Sequence, residues 1–568
     1  MKGIGVSEGI GIGNAFVIKK HSLEYVSKTV TDTAAEIKRL QNALDVFCAN
    51  TEKQAEMLQV SVGKKEAEIL TGHIHIVRDP YLIAETEKSI RSGQCAEAAF
   101  ESICDMFISI FSAADDELTR QRAADMRDIK SGVIGILLGA DQMKTGILPD
   151  RTVIVAEELT PSMMSEINKE RVVGIVTESG SMTSHTAILA RAMEIPAVMG
   201  AAGVVSKVKN GDVIIVDGTI GEVIHLPSEA QTEHYRQKQK AAEQERRENE
   251  MFRGKQTLSA DGTPFAVFCN IGSAEDAAKI AAFDGEGAGL FRTEFLFMEK
   301  EAAPTEEEQF HEYQKAALLL KDKPLVIRTL DIGGDKDLPY LHIDQEDNPF
   351  MGLRAIRYCL QNREIFKTQI RAIVRASAFG NIRMMFPMIS CVEELRKGKE
   401  LVKEVMAELS EEHIAFDPDL KIGIMVETAA AAVSADILAQ ECDFFSIGTN
   451  DLTGYMMACD RGNRSVADLY SAFQPCVLRM IKRTIECAKQ CGIPVGMCGE
   501  AAADPMMIPL LMSFGLSEFS VSAPSVLKVR KYISRIHRQQ ADEIAQTAMQ
   551  LLTLQEVCDY LKKDGILI

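Results

Sequence analysis

Apolar residues recur along this chain in two rhythms, and the change from one to the other divides it. Between about residues 30 and 145 the spacing is helical: Ile37, Leu40, Leu44 and Phe47 fall on one face, with charged residues between them. A second helix is expected over Glu66 to Ile76 and a third from about Ala96 to Ile110, with Pro80 and Gly93 as punctuation. The pattern predicts a helical bundle and leaves open what the bundle binds.

From Thr152 the texture is that of strands. TVIVAE, RVVGIVT, IPAVMG, DVIIVDG and GEVIHL are short β-rich runs separated by Gly and Pro, with one amphipathic helix around Ile188 to Met193. Together with the Gly-rich N-terminus they predict a compact α/β domain into which the helices are inserted. The N-terminal glycines make a poor dinucleotide fingerprint, because no strand precedes them. The run EAQTEHYRQKQKAAEQERRENE then combines helix formers and dense charge without an apolar stripe, as a solvated helix between domains does.

The remainder alternates. Eight strand candidates, FAVFCNI, GAGLF, LVIRTL, IRMMFP, KIGIMVE, FFSIG, PVGMCG and SEFSVS, are each followed by a helical or loop stretch. That order predicts a (β/α)8 TIM barrel, with an open doubly wound sheet as the alternative. The expected architecture is therefore a multidomain α/β protein. An α/β domain takes residues 1–29 and 146–227, the helical insert 30–145, a linker helix 228–255 and the barrel 256–568.

Composition narrows the function. At 568 residues the chain is long enough for several cores, and 46% hydrophobic and 26% charged residues are the proportions of a water-soluble protein. No apolar run approaches the roughly 20 residues of a membrane span, and the N-terminus does not read as a signal peptide. A cytoplasmic protein is expected, with its 13 cysteines as thiols; Cys487 and Cys491 lie one helical turn apart but lack the second ligand pair of a zinc site. The net charge of −19 argues against a nucleic-acid surface and requires that any anion site gather its arginines locally.

Such a gathering is expected at the barrel mouth, where the carboxyl ends of strands carry catalytic groups. Arg292 follows GLF, Arg328 lies in VIRTL, Glu427 ends IMVE, Asn450 and Asp451 follow FSIGT, and Cys498 lies in GMCG. Arg354, Arg357 and Arg461 stand near strand ends or in the loops after them, and Lys336 follows an IGGD turn. Guanidinium forks bind phosphate and carboxylate, while Glu427 and Asp451 offer the hard oxygens that Mg2+ takes beside a substrate phosphate. A small phosphorylated carboxylate bound with Mg2+ is the ligand this set suggests. A structural ion-pair network is the other reading.

A second constellation is TSHTAILARAM, where Thr183 or Ser184 can cap a helix whose first turn carries His185. A helix N-terminus disfavours the imidazolium and welcomes a phosphate on the ring. A histidine that merely packs at the cap fits the same residues.

At these residues the chain resembles the enzyme I family, the phosphoenolpyruvate–protein phosphotransferases of the bacterial sugar phosphotransferase system. SGSMTSHTAILARAMEIPAVMG is similar to the family's phosphohistidine motif. GLFRTEFLFM, VIRTLDIGGDKDLPY, DFFSIGTNDLTGYMMACDRGN and GMCGE resemble its substrate-binding signatures, and ADMRDIKSGVIGILLG the end of the helical insert that docks the phosphocarrier HPr. The resemblance implies that His185 is phosphorylated. It implies that Arg292, Arg328 and Arg461 hold the substrate's phosphate and carboxylate with Asn450 and Lys336, and that Arg354 contacts the transferring group. Glu427 and Asp451 would ligate Mg2+, and Cys498 would exchange the proton at the methylene carbon as enolpyruvate becomes pyruvate. A cytoplasmic homodimer joined through the barrel, with no nucleic acid and no membrane insertion, is also implied.

Departures from the family pattern accompany the match. Gly180-Ser181 replaces a Gly-Gly pair, and Met164 stands where a threonine hydroxyl would steady the histidine. Leu353 replaces a tryptophan, Ala429 a proline, and Gly454 and Met456 a glutamine and a threonine. They bear on rate, affinity and carrier preference and remove no phosphate ligand, metal ligand or nucleophile. Two other readings compete with this one: a divergent sensor of phosphoenolpyruvate, against which Cys498 speaks, and an ATP-using relative, for which the chain lacks a phosphate-loop pattern.

Overall fold

The computed structural model describes residues 1–18, 25–61, 63–113, 117–139, 148–182, 184–298, 300, 302–334, 338–344 and 346–563. Thr183 and Lys336 lie outside them. The chain divides into two compact units, Met1–Glu245 and Arg246–Ile568.

In the first unit a seven-stranded sheet is built from both ends of its sequence. Strands β1 (Ile4–Ser7) and β2 (Ile10–Ile18) join β3 (Thr152–Ala156), β4 (Val172–Thr177), β5 (Ala197–Met199), β6 (Val213–Asp217) and β7 (Glu222–His225). Their order is β1-β5-β4-β3-β2-β6-β7. The neighbours β2 to β5 run parallel, with antiparallel pairs at the edges. Every residue of β3 is buried, as a central strand covered on both faces requires.

The insert contains helices Thr33–Ser61, Lys64–Val77, Pro80–Arg91, Ala96–Ser112 and Glu117–Leu138. Pro80 punctuates as expected, but it opens a helix rather than ending one. Asp79 accepts hydrogen bonds from the Tyr81 and Leu82 amides, and Pro80 fills the first position, where a missing N–H costs nothing. Leu40, Leu44, Phe47, Phe100, Met126 and Ile129 form the buried interior of the bundle.

The charged linker forms a helix, Glu229–Glu250. It is not solvated throughout. Tyr235 is buried with Ile12 and Ile215, its hydroxyl lies 3.0 Å from Glu222, and Gln239 donates to the carbonyl of Ile10 at 2.6 Å.

In the second unit eight parallel strands close into a barrel. They are β8 (Ala266–Ile271), β9 (Ala288–Arg292), β10 (Leu325–Arg328), β11 (Ile382–Phe386), β12 (Lys421–Val426), β13 (Phe445–Ile447), β14 (Val495–Met497) and β15 (Glu518–Val521). Pairing of β15 with β8 closes the ring and excludes the open sheet. Each strand falls within one of the runs anticipated from its apolar content, save β9, which extends one residue past GAGLF to Arg292. Inside the ring, Leu290, Val326, Met385, Met425, Phe444 and Cys498 pack together as a floor. Beyond them Arg383 meets Glu518 at 3.3 Å.

Candidate functional site

The barrel mouth is organised by two buried guanidiniums and the acids between them. Arg328, the last residue of β10, is 6% exposed, and Arg354 is 3% exposed. Asp331 bridges them, with one oxygen 3.0 Å from Arg328 and the other 3.0 Å from Arg354. Glu294 takes the other arm of Arg328 at 2.8 Å, while Arg354 also reaches Asp451 at 3.6 Å and the Tyr455 hydroxyl at 3.2 Å. Charges this deep survive only when paired and hydrogen-bonded. The Nε atoms of both arginines are buried without a hydrogen-bond partner among the described residues.

Backbone conformation brings these groups together. Gly333, at φ +109°, lies where a Cβ would come within 2.5 Å of the Arg354 side chain, so the close approach needs a glycine. Met388 sits at φ +56°, and its amide donates to Glu427 at 2.7 Å. Such strain is retained where the surrounding structure overdetermines it.

Glu427 follows β12 and is 1% exposed. Burial, with Asp451 and Asp331 nearby, pushes its carboxyl well above the usual range, against the pull of Arg328 and Arg354. A buried carboxylate whose proton affinity is raised by a neighbouring one makes, with that neighbour, a donor pair that a divalent cation would relieve. Among the described residues no three metal-type side chains lie together. The pair nonetheless fits Mg2+, which commonly takes one or two carboxylates and completes its shell with water and substrate phosphate.

Cys498, after β14, is 5% exposed, and its Sγ lies 3.8 Å from the Ile447 carbonyl. Burial pushes its thiol up, partly offset by Ser446 and by the charges of Arg328 and Arg292. It is thus a protonated thiol at neutral pH. Arg292, the last residue of β9, is exposed. Asn450 and Asp451 open the helix Thr449–Met457 after β13, and Tyr470, which donates to the Asn450 carbonyl at 2.9 Å, feels both Arg461 and Asp451. Arg357 instead donates to the Met351 and Gly352 carbonyls and to Ser390. Sequence reasoning missed Glu294 and Asp331, although both stand inside quoted motifs, RTEF and RTLDIGG.

In the first unit, His185 is the first residue of the helix His185–Ala192. Ser184 caps it, accepting from the Ala187 amide at 3.3 Å. Thr186 anchors the turn by donating to the Leu159 carbonyl at 2.6 Å. The ring's Nδ1 lies 3.2 Å from Asp125 of the insert, and the same carboxylate oxygen is 3.2 Å from Nε2 of the buried His73. Burial pushes the Asp125 carboxyl up, but the hydrogen bonds with His185 and His73 outweigh it and hold it at about 2. Neither Asp125 nor His73 was anticipated.

Family comparisons agree with this layout. Residues 246–538 match the family described as PEP-utilising enzyme, PEP-binding domain. Residues 2–122 match the N-terminal domain of PEP-utilising enzymes, and 148–221 their mobile domain. The fold and the mouth thus define a PEP-utilising enzyme. The phosphoenolpyruvate-protein phosphotransferase of Priestia megaterium is 42% identical over 99% of this chain and 98% of its own length. That of Bacillus subtilis (strain 168) is 41% identical over 99% of each. A solution structure of an enzyme I protein (nEIt) is 37% identical, with a TM-score of 0.38, over 43% of this chain and 99% of its own. The chain belongs to the phosphoenolpyruvate–protein phosphotransferase, or enzyme I, family.

Proposed function

We propose that this chain moves the phosphoryl group of phosphoenolpyruvate onto Nε2 of His185 and then to the phosphocarrier HPr, releasing pyruvate as the first step of sugar uptake. The observation that carries the reading is the gathering of Arg328, Arg354, Glu427, Asp451 and Cys498 at one end of the barrel. The assignment is cytoplasmic, and among the described residues no helix is long and apolar enough to cross a membrane.

In this reading Arg292, Arg328 and Arg461 hold phosphate and carboxylate, with Asn450 and Lys336 assisting, and Arg354 faces the transferring group. Mg2+, held by Glu427 and Asp451, would offset the charge of the phosphoryl oxygens. The guanidiniums would do the same, held in orientation by Glu294 and Asp331, and preorganised donors are what a loose transition state needs. Cys498 keeps its proton because it is buried, and it gives that proton to the methylene carbon as enolpyruvate becomes pyruvate. Splitting the transfer through a covalent phosphohistidine gives two easier steps. The α/β domain (1–29 and 146–227) carries the phosphohistidine between partners, the insert (30–145) docks HPr, and 228–255 is the linker. The barrel (256–568) binds phosphoenolpyruvate and forms a homodimer.

Incubation with labelled phosphoenolpyruvate and Mg2+ tests the proposal: acid-labile label is expected on His185 and then on HPr. Its absence would favour a phosphoenolpyruvate sensor that keeps the fold. Cys498→Ala should slow turnover by about 10²–10⁴-fold, as loss of a general acid does, with little change in substrate affinity. A large loss of affinity would make the thiol structural.

A further inference from the structure

The helix that carries Asn450 and Asp451 also reaches Arg354, through a residue with no part in the reading above. Tyr455 lies on the helix Thr449–Met457 and is half-buried. Its hydroxyl donates to the Phe350 carbonyl and accepts from Nη1 of Arg354 at 3.2 Å. The guanidinium carbon of Arg354 stands 5.7 Å from the centre of the Phe350 ring, so the same residue meets both partners. From the other side Arg357 donates to the next two carbonyls, of Met351 and Gly352, at 3.3 Å each. Three successive carbonyls ahead of Arg354 are thus held by side chains.

We propose that Tyr455 is a positioning residue for phosphoryl transfer, holding Arg354 against the transferring group and fixing it relative to the helix of Asp451. The inference rests on the reading of Arg354 as the contact to that group.

Chemistry fixes both roles of the hydroxyl. A carbonyl oxygen only accepts and a guanidinium only donates, so the Tyr455 proton faces Phe350 and a lone pair faces Arg354. Burial pushes the hydroxyl above its ordinary range, so it keeps that proton at neutral pH. The Phe350 ring is seated by Gly334, at φ +74°, where a Cβ would come within 3.2 Å of it.

What separates Tyr455 from the other partners of Arg354 is charge. Asp331 at 3.0 Å and Asp451 at 3.6 Å both approach Nη2, and as anions they compete with a phosphoryl oxygen for the guanidinium. Tyr455 is neutral and holds Nη1, so it keeps its grip while the carboxylates give way. Without that tether the ordering of a long side chain would fall within the barrier. In the step itself the N–P bond forms and the bridging P–O bond breaks, its electron pair leaving on the enolate oxygen. Arg354 donates hydrogen bonds to the phosphoryl oxygens, and Tyr455 exchanges no proton.

The test is single-turnover labelling of the full chain by phosphoenolpyruvate with Mg2+, rapidly quenched, across substrate concentrations. Tyr455→Phe keeps the ring and removes the hydroxyl. Its labelling at saturating phosphoenolpyruvate should be about 10–100-fold slow, with half-saturation within about twofold of wild type. The readout that a merely structural role would not move is the coupling to Arg354. In an Arg354→Lys background, which lacks the Nη1 donor, Tyr455→Phe should slow labelling by no more than about twofold further. Equal losses in the two backgrounds, or Tyr455→Phe labelling within about twofold of wild type, would overturn the proposal. So would a raised half-saturation at an unchanged maximal rate, which would place the hydroxyl in substrate binding. A Tyr455→Phe chain that is unfolded in a thermal melt at the assay temperature would make the hydroxyl structural and overturn it as well. A wild type that takes no label would instead overturn the phosphotransfer reading, and Tyr455's role with it.

Discussion

His185→Ala should abolish the acid-labile label expected on the wild-type chain after incubation with phosphoenolpyruvate, while the fold persists. The side chain is about one-fifth exposed and begins its helix, so its removal leaves no buried cavity and spares the Ser184 cap and the Thr186 anchor. The cost to stability should be at most about 1 kcal/mol, a melting shift of a few degrees. Asp125 keeps His73 as a partner. The nearest imidazole cannot substitute, because His73 is 1% exposed and its Nε2 is engaged by the same carboxylate. Scintillation counting of the acid-labile label, beside a thermal melt, checks both halves. Label retained by a folded variant would move the nucleophile elsewhere.

Arg328→Ala should damage stability and catalysis together. The guanidinium is 6% exposed and neutralises Glu294 and Asp331, so truncation leaves two buried carboxylates short of a partner. Breaking a buried pair in this way costs about 3–5 kcal/mol. Loss of one preorganised donor at the transferring charge costs roughly 100–1,000-fold in turnover. Arg328→Lys separates the two effects. It keeps the charge, and therefore much of the stability, but loses the fork that spans Glu294 and Asp331. Denaturation midpoints read against pyruvate release distinguish them, and full turnover in Arg328→Lys would show that the planar fork is dispensable.

The barrel was legible because each strand is a short apolar run that its local pattern marks. The identities at strand ends then place Arg292, Arg328, Glu427 and Cys498 on one rim without further information. Glu294 and Asp331 were not legible as part of the site. Their role comes from pairing across elements, and an acid next to an arginine in sequence has no sign of that. Asp125 was hidden for a similar reason: its spacing from Asp128 predicts a helix face, but the histidines it meets lie 52 and 60 positions away. The linker was read as solvated because its charges outnumber its apolar residues. One aromatic ring, Tyr235, and one amide, Gln239, were enough to seat its first half on the sheet.

The acids at the barrel mouth also change what substrate affinity measures there. Two buried guanidiniums, Arg328 and Arg354, are paired with Glu294, Asp331 and Asp451, and Glu427 lies near both. If phosphate and carboxylate bind to these arginines as proposed, association is an exchange of counter-ions: they must displace internal anions that already engage the same donors. A compound that brings only one of those two groups leaves the pocket better matched to itself. Selectivity then comes from the protein's competing hold on its own arginines.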